Sequence, residues 1–198
     1  MLIDTHCHLD FPDFAEEIDA VVARAIGQGV GAMVSISTRV KRLEGLLALA
    51  ARFPNVFCSV GTHPHNAAEE PDVTAADLVA LSAHPKIVAI GEAGLDYHYD
   101  KSPRDMQRQG FIRHIAAARI TGLPLVIHAR NADEDMIAIL REESAKGAFP
   151  FILHCFSSGK ALADAGVELG GYVSFSGILT FKTSQELRDI ASCIPHDR

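Results

Sequence analysis

The sequence predicts an α/β fold built on a parallel sheet, and three observations carry that reading. Short apolar runs alternate with helix-period segments through all 198 residues. Most of these runs are apolar on both faces, as strands are when helices cover a parallel sheet. Four histidines and one glutamate, His6, His8, Glu92, His128 and His154, stand where such runs end. In a barrel of parallel strands these positions converge on one rim.

Leu2–His6 reads as the first strand. Ala15–Gln28 follows as a helix, with Ile18, Val21, Val22, Ala25 and Ile26 at helical spacing. Ala32–Ile36 is the second strand, and Arg39–Arg52 a helix stopped near Pro54. Val56–Val60 is the third strand, followed by the loop "GTHPHNAAEEP" and a helix capped by Thr74 and running to Ala83. Lys86–Ile90 is the fourth strand and Pro103–Thr121 its long helix. Leu125–His128 leads into Ala132–Lys146, Phe151–His154 into Lys160–Leu169, and Tyr172–Phe175 into Ser184–Ile194. Repeated β-then-α units imply right-handed crossovers. The count is seven units, whereas a (β/α)8 barrel usually needs about 250 residues. The final "IPHDR" falls where another strand is expected to begin. The residues alone leave two architectures open, an open seven-stranded sheet or an incomplete barrel.

The length fits one domain, residues 1–198, with enough chain to bury a core. No apolar run reaches bilayer-spanning length, and "MLIDTHCHLD" lacks the basic and apolar regions of a signal peptide. Cys7, Cys58, Cys155 and Cys193 are scattered, without paired spacing. These features predict a reduced, cytoplasmic protein with no membrane partner and no obligate protein partner. The net charge of −7 excludes a protein that coats nucleic acid through a broad basic face. It leaves open a nucleic-acid substrate met at a pocket made positive by bound cations.

In His6-Cys7-His8, two imidazoles two residues apart point the same way along an extended chain and can reach one cation. An isolated HxH is weak; "HPH" at His63–His65 is a second instance. Glu92 follows Ile87, Val88, Ala89 and Ile90, and a carboxylate at the end of a buried strand is costly unless paired or metal-bound. His128 follows "LPLVI" and His154 follows "PFIL". One buried histidine is ordinarily a satisfied core residue, but several at equivalent strand ends point to a site. A carboxylate among imidazoles can bridge two ions, as in two-metal hydrolytic sites. Arg130 is placed to grip an anionic oxygen. His63, His65, Asp96 and His98 are candidates for substrate contact or ligand support. Cys7 and Cys155 are expected to point away from the site as small apolar fillers. No nucleophile elbow, phosphate loop or dinucleotide fingerprint is present.

"LIDTHCHLD", "GTHPH", "AIGEAGLDYHY", "LVIHAR", "ILHCFSSG" and "SFSGILTFK", in this order, resemble the TatD family of metal-dependent deoxyribonucleases, TIM barrels of the amidohydrolase superfamily. The resemblance covers essentially the whole chain. It implies a TIM-type (β/α)8 barrel of which seven β/α units are present. It implies two divalent ions, Mg, Mn or Zn, with His6 and His8 on the first, Glu92 bridging as the catalytic carboxylate, and His128 and His154 on the second. His63 and Arg130 would meet substrate phosphate, and the substrate would be DNA, cleaved at its phosphodiester bonds by a metal-activated water. The family pattern continues into an eighth strand with an aspartate ligand, for which this sequence offers no counterpart; Asp197 precedes that strand. The expectation is a weakened first site, poor turnover and self-association through unpaired strand edges. Two other readings share the residues: an esterase, amidase or lactonase of the same superfamily, and a metal-binding fragment without turnover.

Overall fold

The computed structural model describes residues 1–198. Seven parallel strands form one sheet in chain order: β1 (Leu2–Cys7), β2 (Val30–Ser35), β3 (Val56–Val60), β4 (Ile87–Asp96), β5 (Leu125–Arg130), β6 (Phe151–Leu153) and β7 (Tyr172–Val173). Each strand feeds a helix: α1 (Ile18–Gly27), α2 (Leu43–Ala51), α3 (Ala75–Ser82), α4 (Arg104–Thr121), α5 (Asp133–Ala145), α6 (Lys160–Glu168) and α7 (Gln185–Cys193). The sheet curls. His6 at the end of β1 stacks on His154 just past β6, with ring centroids 3.4 Å apart, which a flat sheet of this order would forbid. β1 and β7 are the sheet edges, and Leu2 and Ile3 stay largely exposed on β1. No helix is long and apolar enough to cross a membrane.

Side-chain alternation along the strands sorts the residues into two faces. Leu125, Ile127, Phe151 and Leu153 belong to the main core between the sheet and the helices, with Ile115 and Phe111 of α4 and Met136 and Leu140 of α5. Val126 faces the other way. It packs with Ile36 and Ala89, and with the partly buried Val34, as a small apolar floor on the concave face. His128 lies two residues beyond Val126 and therefore rises from this floor.

The units match the sequence reading, with shifted boundaries. The first helix begins at Ile18 because Pro12–Phe14 forms a separate 3-10 turn. Val40–Arg42 likewise precedes α2 as a 3-10 turn. Thr74 caps α3 in a reciprocal capping box with Asp77. The largest revision is β4, which runs on to Asp96, so Glu92 lies within the strand rather than after it. Two glycines allow this continuation. A Cβ on Gly61 would fall 2.5 Å from the Gly91 Cα, and one on Gly94, at φ +148°, would overlap the His128 carbonyl oxygen. Both positions bring strand backbones closer than any side chain permits.

Two buried polar groups hold the loop after β3. His114 of α4 is buried; its Nδ1–H donates to the Gly110 carbonyl and its Nε2 accepts from the Thr62 N–H at 3.0 Å. Glu70, also buried, accepts from the N–H groups of Val40 and Lys41 and from the Thr62 hydroxyl. Burial pushes the His114 imidazole down to about 4, against upward pulls from Gly110 and Glu70 and a further downward push from Arg113. The unfolded chain therefore binds more protons between about pH 4 and 6.5. The stabilisation is complete above that window and disappears as pH falls through it. Denaturant titrations of the protein and of His114→Gln should differ less as pH is lowered. The gap should narrow by about 2 kcal/mol between pH ~7 and pH ~5.

Candidate metal centre

The cluster is built on the concave face at the carboxyl ends of the strands. Glu92 is its hub. The carboxylate is buried, with Oε2 3.4 Å from His6 Nε2, and Oε1 3.2 Å from His128 Nδ1 and 3.9 Å from His63 Nε2. Ser37 staples the hub to its neighbours. Its carbonyl accepts from the Glu92 N–H at 3.1 Å, its hydroxyl donates to the Gly61 carbonyl, and its N–H donates to Ser59 Oγ. Donor atoms of His6, His8 and Glu92 lie within 4.8 Å of one another, as do those of His63, Glu92 and His128. Two donor sets thus share one carboxylate. His154 joins through its stack on His6 and belongs to neither set.

Hydrogen bonds to the outer ring nitrogens fix most of the tautomers. His8 Nδ1–H donates to the Ile36 carbonyl at 3.2 Å, which leaves the Nε2 lone pair free. His128 lies between two carboxylates, donating from Nε2 to Asp96 at 3.0 Å and from Nδ1 to Glu92 at 3.2 Å, so a cation at Nδ1 would take the place of a proton. His63 differs. Its Nδ1 accepts from the His65 N–H, so Nε2 carries the proton and points into the cluster as a donor. His6 donates from Nε2 to Glu92 and has a buried Nδ1 with no partner.

Asp96 supports the cluster from beneath. It is fully buried, accepts from His65 at 2.8 Å and from His128, and takes the backbone N–H groups of His98 and Tyr99. Burial alone would raise this carboxyl, but the Tyr99 N–H and the two imidazoles hold it down to about 2. Burial also works against the Glu92 anion, and hydrogen bonds from His128 and His6 outweigh it, keeping the group well below the ordinary range. Burial pushes His63 down to about 3 and His154 down to about 4, and lowers His8, the last two with added repulsion from His6. His128 alone rises, because Glu92 and Asp96 outweigh its desolvation.

These features fit divalent cations. A cation needs neutral imidazoles and ionised carboxylates; burial favours the first at His8 and His154, hydrogen bonding supplies the second at Glu92, and at His128 the cation would replace a proton. The unpartnered His6 nitrogen and the ionised Glu92 are buried polar groups that such a charge would satisfy.

The Arg130 side chain makes no hydrogen bond within the protein; its guanidinium lies over the Tyr99 ring at 4.8 Å from the centroid. Cys7 is half-buried and donates to the Val34 carbonyl. Cys155 departs from the expected filler role. The chain turns at φ +45° there, and the thiol is exposed, 3.0 Å from Ser176 Oγ. The sequence reading missed His114 and Glu70, which carry no motif; the polar pair sits in otherwise ordinary helix and loop sequence.

A curled sheet of parallel β/α units, with imidazoles and a carboxylate gathered at its carboxyl rim, defines the class of barrel-derived enzymes whose sites stand at that rim. The family model described as TatD related DNase matches residues 3–198, and the chain belongs to that family. It is 36% identical over 198 residues to the uncharacterized metal-dependent hydrolase YabD of Bacillus subtilis, covering all of this chain and 77% of the relative. It is 31% identical over 200 residues to the 3'-5' ssDNA/RNA exonuclease TatD of Salmonella typhimurium, covering all of this chain and 76% of that protein. The crystal structure of YjjV, a TatD homolog from Escherichia coli K12, superposes with a TM-score of 0.87 at 29% identity, over 98% of this chain and 75% of that one.

Replacing Asp96 with Asn frees His128 to rotate and removes the charge behind it. Calorimetric titration with Zn²⁺ should show affinity reduced about 10- to 100-fold with the fold retained, the usual consequence of losing a carboxylate behind a ligating imidazole.

Proposed function

We propose that this protein is a metal-dependent hydrolase acting on phosphodiester bonds of DNA. The observation that carries the proposal is the buried Glu92 carboxylate, which faces His6 with one oxygen at 3.4 Å and His128 with the other at 3.2 Å. In this reading His6, His8 and Glu92 hold one divalent cation, and Glu92 and His128, completed by His154, hold a second. Bound divalent cations polarise a phosphoryl oxygen and make water a competent nucleophile at neutral pH.

The chain's own groups then orient and neutralise. The tautomer argument favours His63 as a donor to a phosphate oxygen over His63 as a ligand, since Nε2 carries its proton. Arg130, with no acid partner, is available for a second phosphate oxygen. Asp96 fixes the His128 ring, and Ser37 fixes the height of Glu92. Glu92 stays ionised, so its part is to hold charge rather than to store a proton. Family membership supports hydrolysis, and the printed activity of the Salmonella relative supports a nucleic-acid substrate.

The test is cleavage of end-labelled DNA with Mn²⁺ or Mg²⁺ supplied. Chelation should abolish cleavage and added Mn²⁺ should restore it. Glu92→Gln should lower kcat by at least about 10³-fold, the scale of losing one preorganised charge at a reacting phosphate. Retained cleavage in that variant, or cleavage indifferent to chelator, refutes the reading.

A further inference from the structure

The second strand gives no donor to the cluster, yet the segment that ends it touches much of the site. Ser35 closes β2, and Ser35, Ile36 and Ser37 are buried. Three successive carbonyls of this segment each accept a hydrogen bond from a residue of the site. Ile36 takes the His8 ring at 3.2 Å, Ser37 takes the Glu92 amide at 3.1 Å, and Thr38 takes the His63 amide at 3.0 Å. The Ile36 N–H in turn donates to the carbonyl of Cys7, the residue between His6 and His8. The end of one strand thus addresses β1, β4 and the loop after β3 together.

Two serine hydroxyls lock this segment. Ser35 Oγ accepts from the Leu9 N–H at 3.0 Å, one residue past His8, and Ser59 Oγ of β3 accepts from the Ser37 N–H at 2.9 Å. Both serines are fully buried. Packing alone does not call for either. Ser35 shares a row across the sheet with Cys7 and Cys58, and Met33, two residues before it, faces the main core. Ser59 stands level with Ala89 on the concave floor. Alanine would fill either place without burying a hydroxyl, which costs free energy unless its hydrogen bond is made. In each case the amide so held is next to His8 in the chain or belongs to the residue that holds Glu92.

We propose that Ser35–Thr38 is a template that sets the distance between His8 and Glu92, with Ser35 and Ser59 as positioning residues that hold it in place. Ser35 acts on His8 through Leu9, and Ser59 acts on Glu92 through Ser37. The proposal rests on the reading that His6, His8 and Glu92 hold a cation, and adds what fixes their spacing. Without either hydroxyl a buried N–H is left unpaired, and its segment shifts to find another acceptor. Displacements of about 0.5 Å at a ligating group are enough to degrade a site.

The test is calorimetric titration of the metal-free protein with Co²⁺. Ser35→Ala and Ser59→Ala should each weaken at least one step of Co²⁺ binding about tenfold, the low end of the loss when a group behind a ligand is removed. Ile139→Val, a change in the core under α5, should destabilise the fold to urea and bind Co²⁺ like the unaltered protein. Ser35→Ala placed on His8→Ala should cause no further loss, because its effect runs through His8, whereas Ser59→Ala on His8→Ala should still weaken binding through Glu92. Unchanged affinity in either serine variant, an equal loss in Ile139→Val, or additive losses for Ser35→Ala and His8→Ala overturns the template. Should one serine variant fail to fold, the other decides. Amide hydrogen exchange of the metal-free protein reads the same hydrogen bonds without a cation: Leu9 should exchange faster in Ser35→Ala, and Ser37 and Glu92 faster in Ser59→Ala. Faster exchange at these amides in a protein that takes up no Co²⁺ supports the template and removes the cation reading, and Co²⁺ binding with unchanged exchange does the opposite.

Discussion

Everything at the rim depends on one ionised carboxylate buried among imidazoles. Glu92 loses most of its hydration, and hydrogen bonds from His128 and His6, with attraction from His63 and His6 added, keep the anion favourable. That constraint dictates what surrounds it. The strand must continue past Ile90 so that the side chain projects from the concave face. Gly61, Gly91 and Gly94 must let neighbouring backbones close in, and Ser37 must take the Glu92 amide. A side chain at Gly94 would separate β4 from β5, and with them Glu92 from His128.

The two faces of the sheet divide the labour. On the convex side, Leu125, Ile127, Phe151 and Leu153 bury apolar area against the helices and supply the stability. On the concave side the apolar floor is small, and the next residues up are already polar. Chemistry is thereby carried on positions whose alternation partners are fixed by packing. The geometry of the cluster is as rigid as the core beneath it. His114 and Glu70 extend this principle to the loop after β3: buried hydrogen bonds to Thr62 set the residue next to His63.

The fold was legible because strand and helix periods alternate without interruption and because the strands are short and apolar. Val56–Val60 and the Thr74 cap were readable to the residue. Glu92 was legible as a charged residue directly after an apolar run. What the sequence hid was the length of β4: the apolar run ends at Ile90, while Gly91 and Gly94 carry the strand on by close approach of the backbone. Asp96 was legible as a candidate for substrate contact or ligand support, but only the extended strand shows it beneath two imidazoles. His154 was singled out by its position after a strand, and its ligand role came from the family resemblance. Space puts it against His6, because curling of the sheet brings β1 and β6 together. The exposure of Cys155 was missed because alternation ceases where the chain turns to positive φ.

Such a site also ties the stability of the rim to whatever occupies it. Histidines held neutral at His8, His63 and His154 each oppose protonation, and Glu92 and Asp96 each oppose neutralisation. The groups are thus set in the charge states that accept a cation, and the protein bears the desolvation cost itself. A cation that binds only the folded form returns free energy as RT ln(1 + [L]/Kd), which at a hundredfold excess over Kd is about 2.7 kcal/mol. Acid reverses the arrangement from both sides, since protons compete for the same nitrogens and desolvated imidazolium rings repel one another. The depressed imidazoles are therefore a property of the fold in the service of the site: packing keeps the rings uncharged, and the shared carboxylate gives the incoming positive charge somewhere to rest.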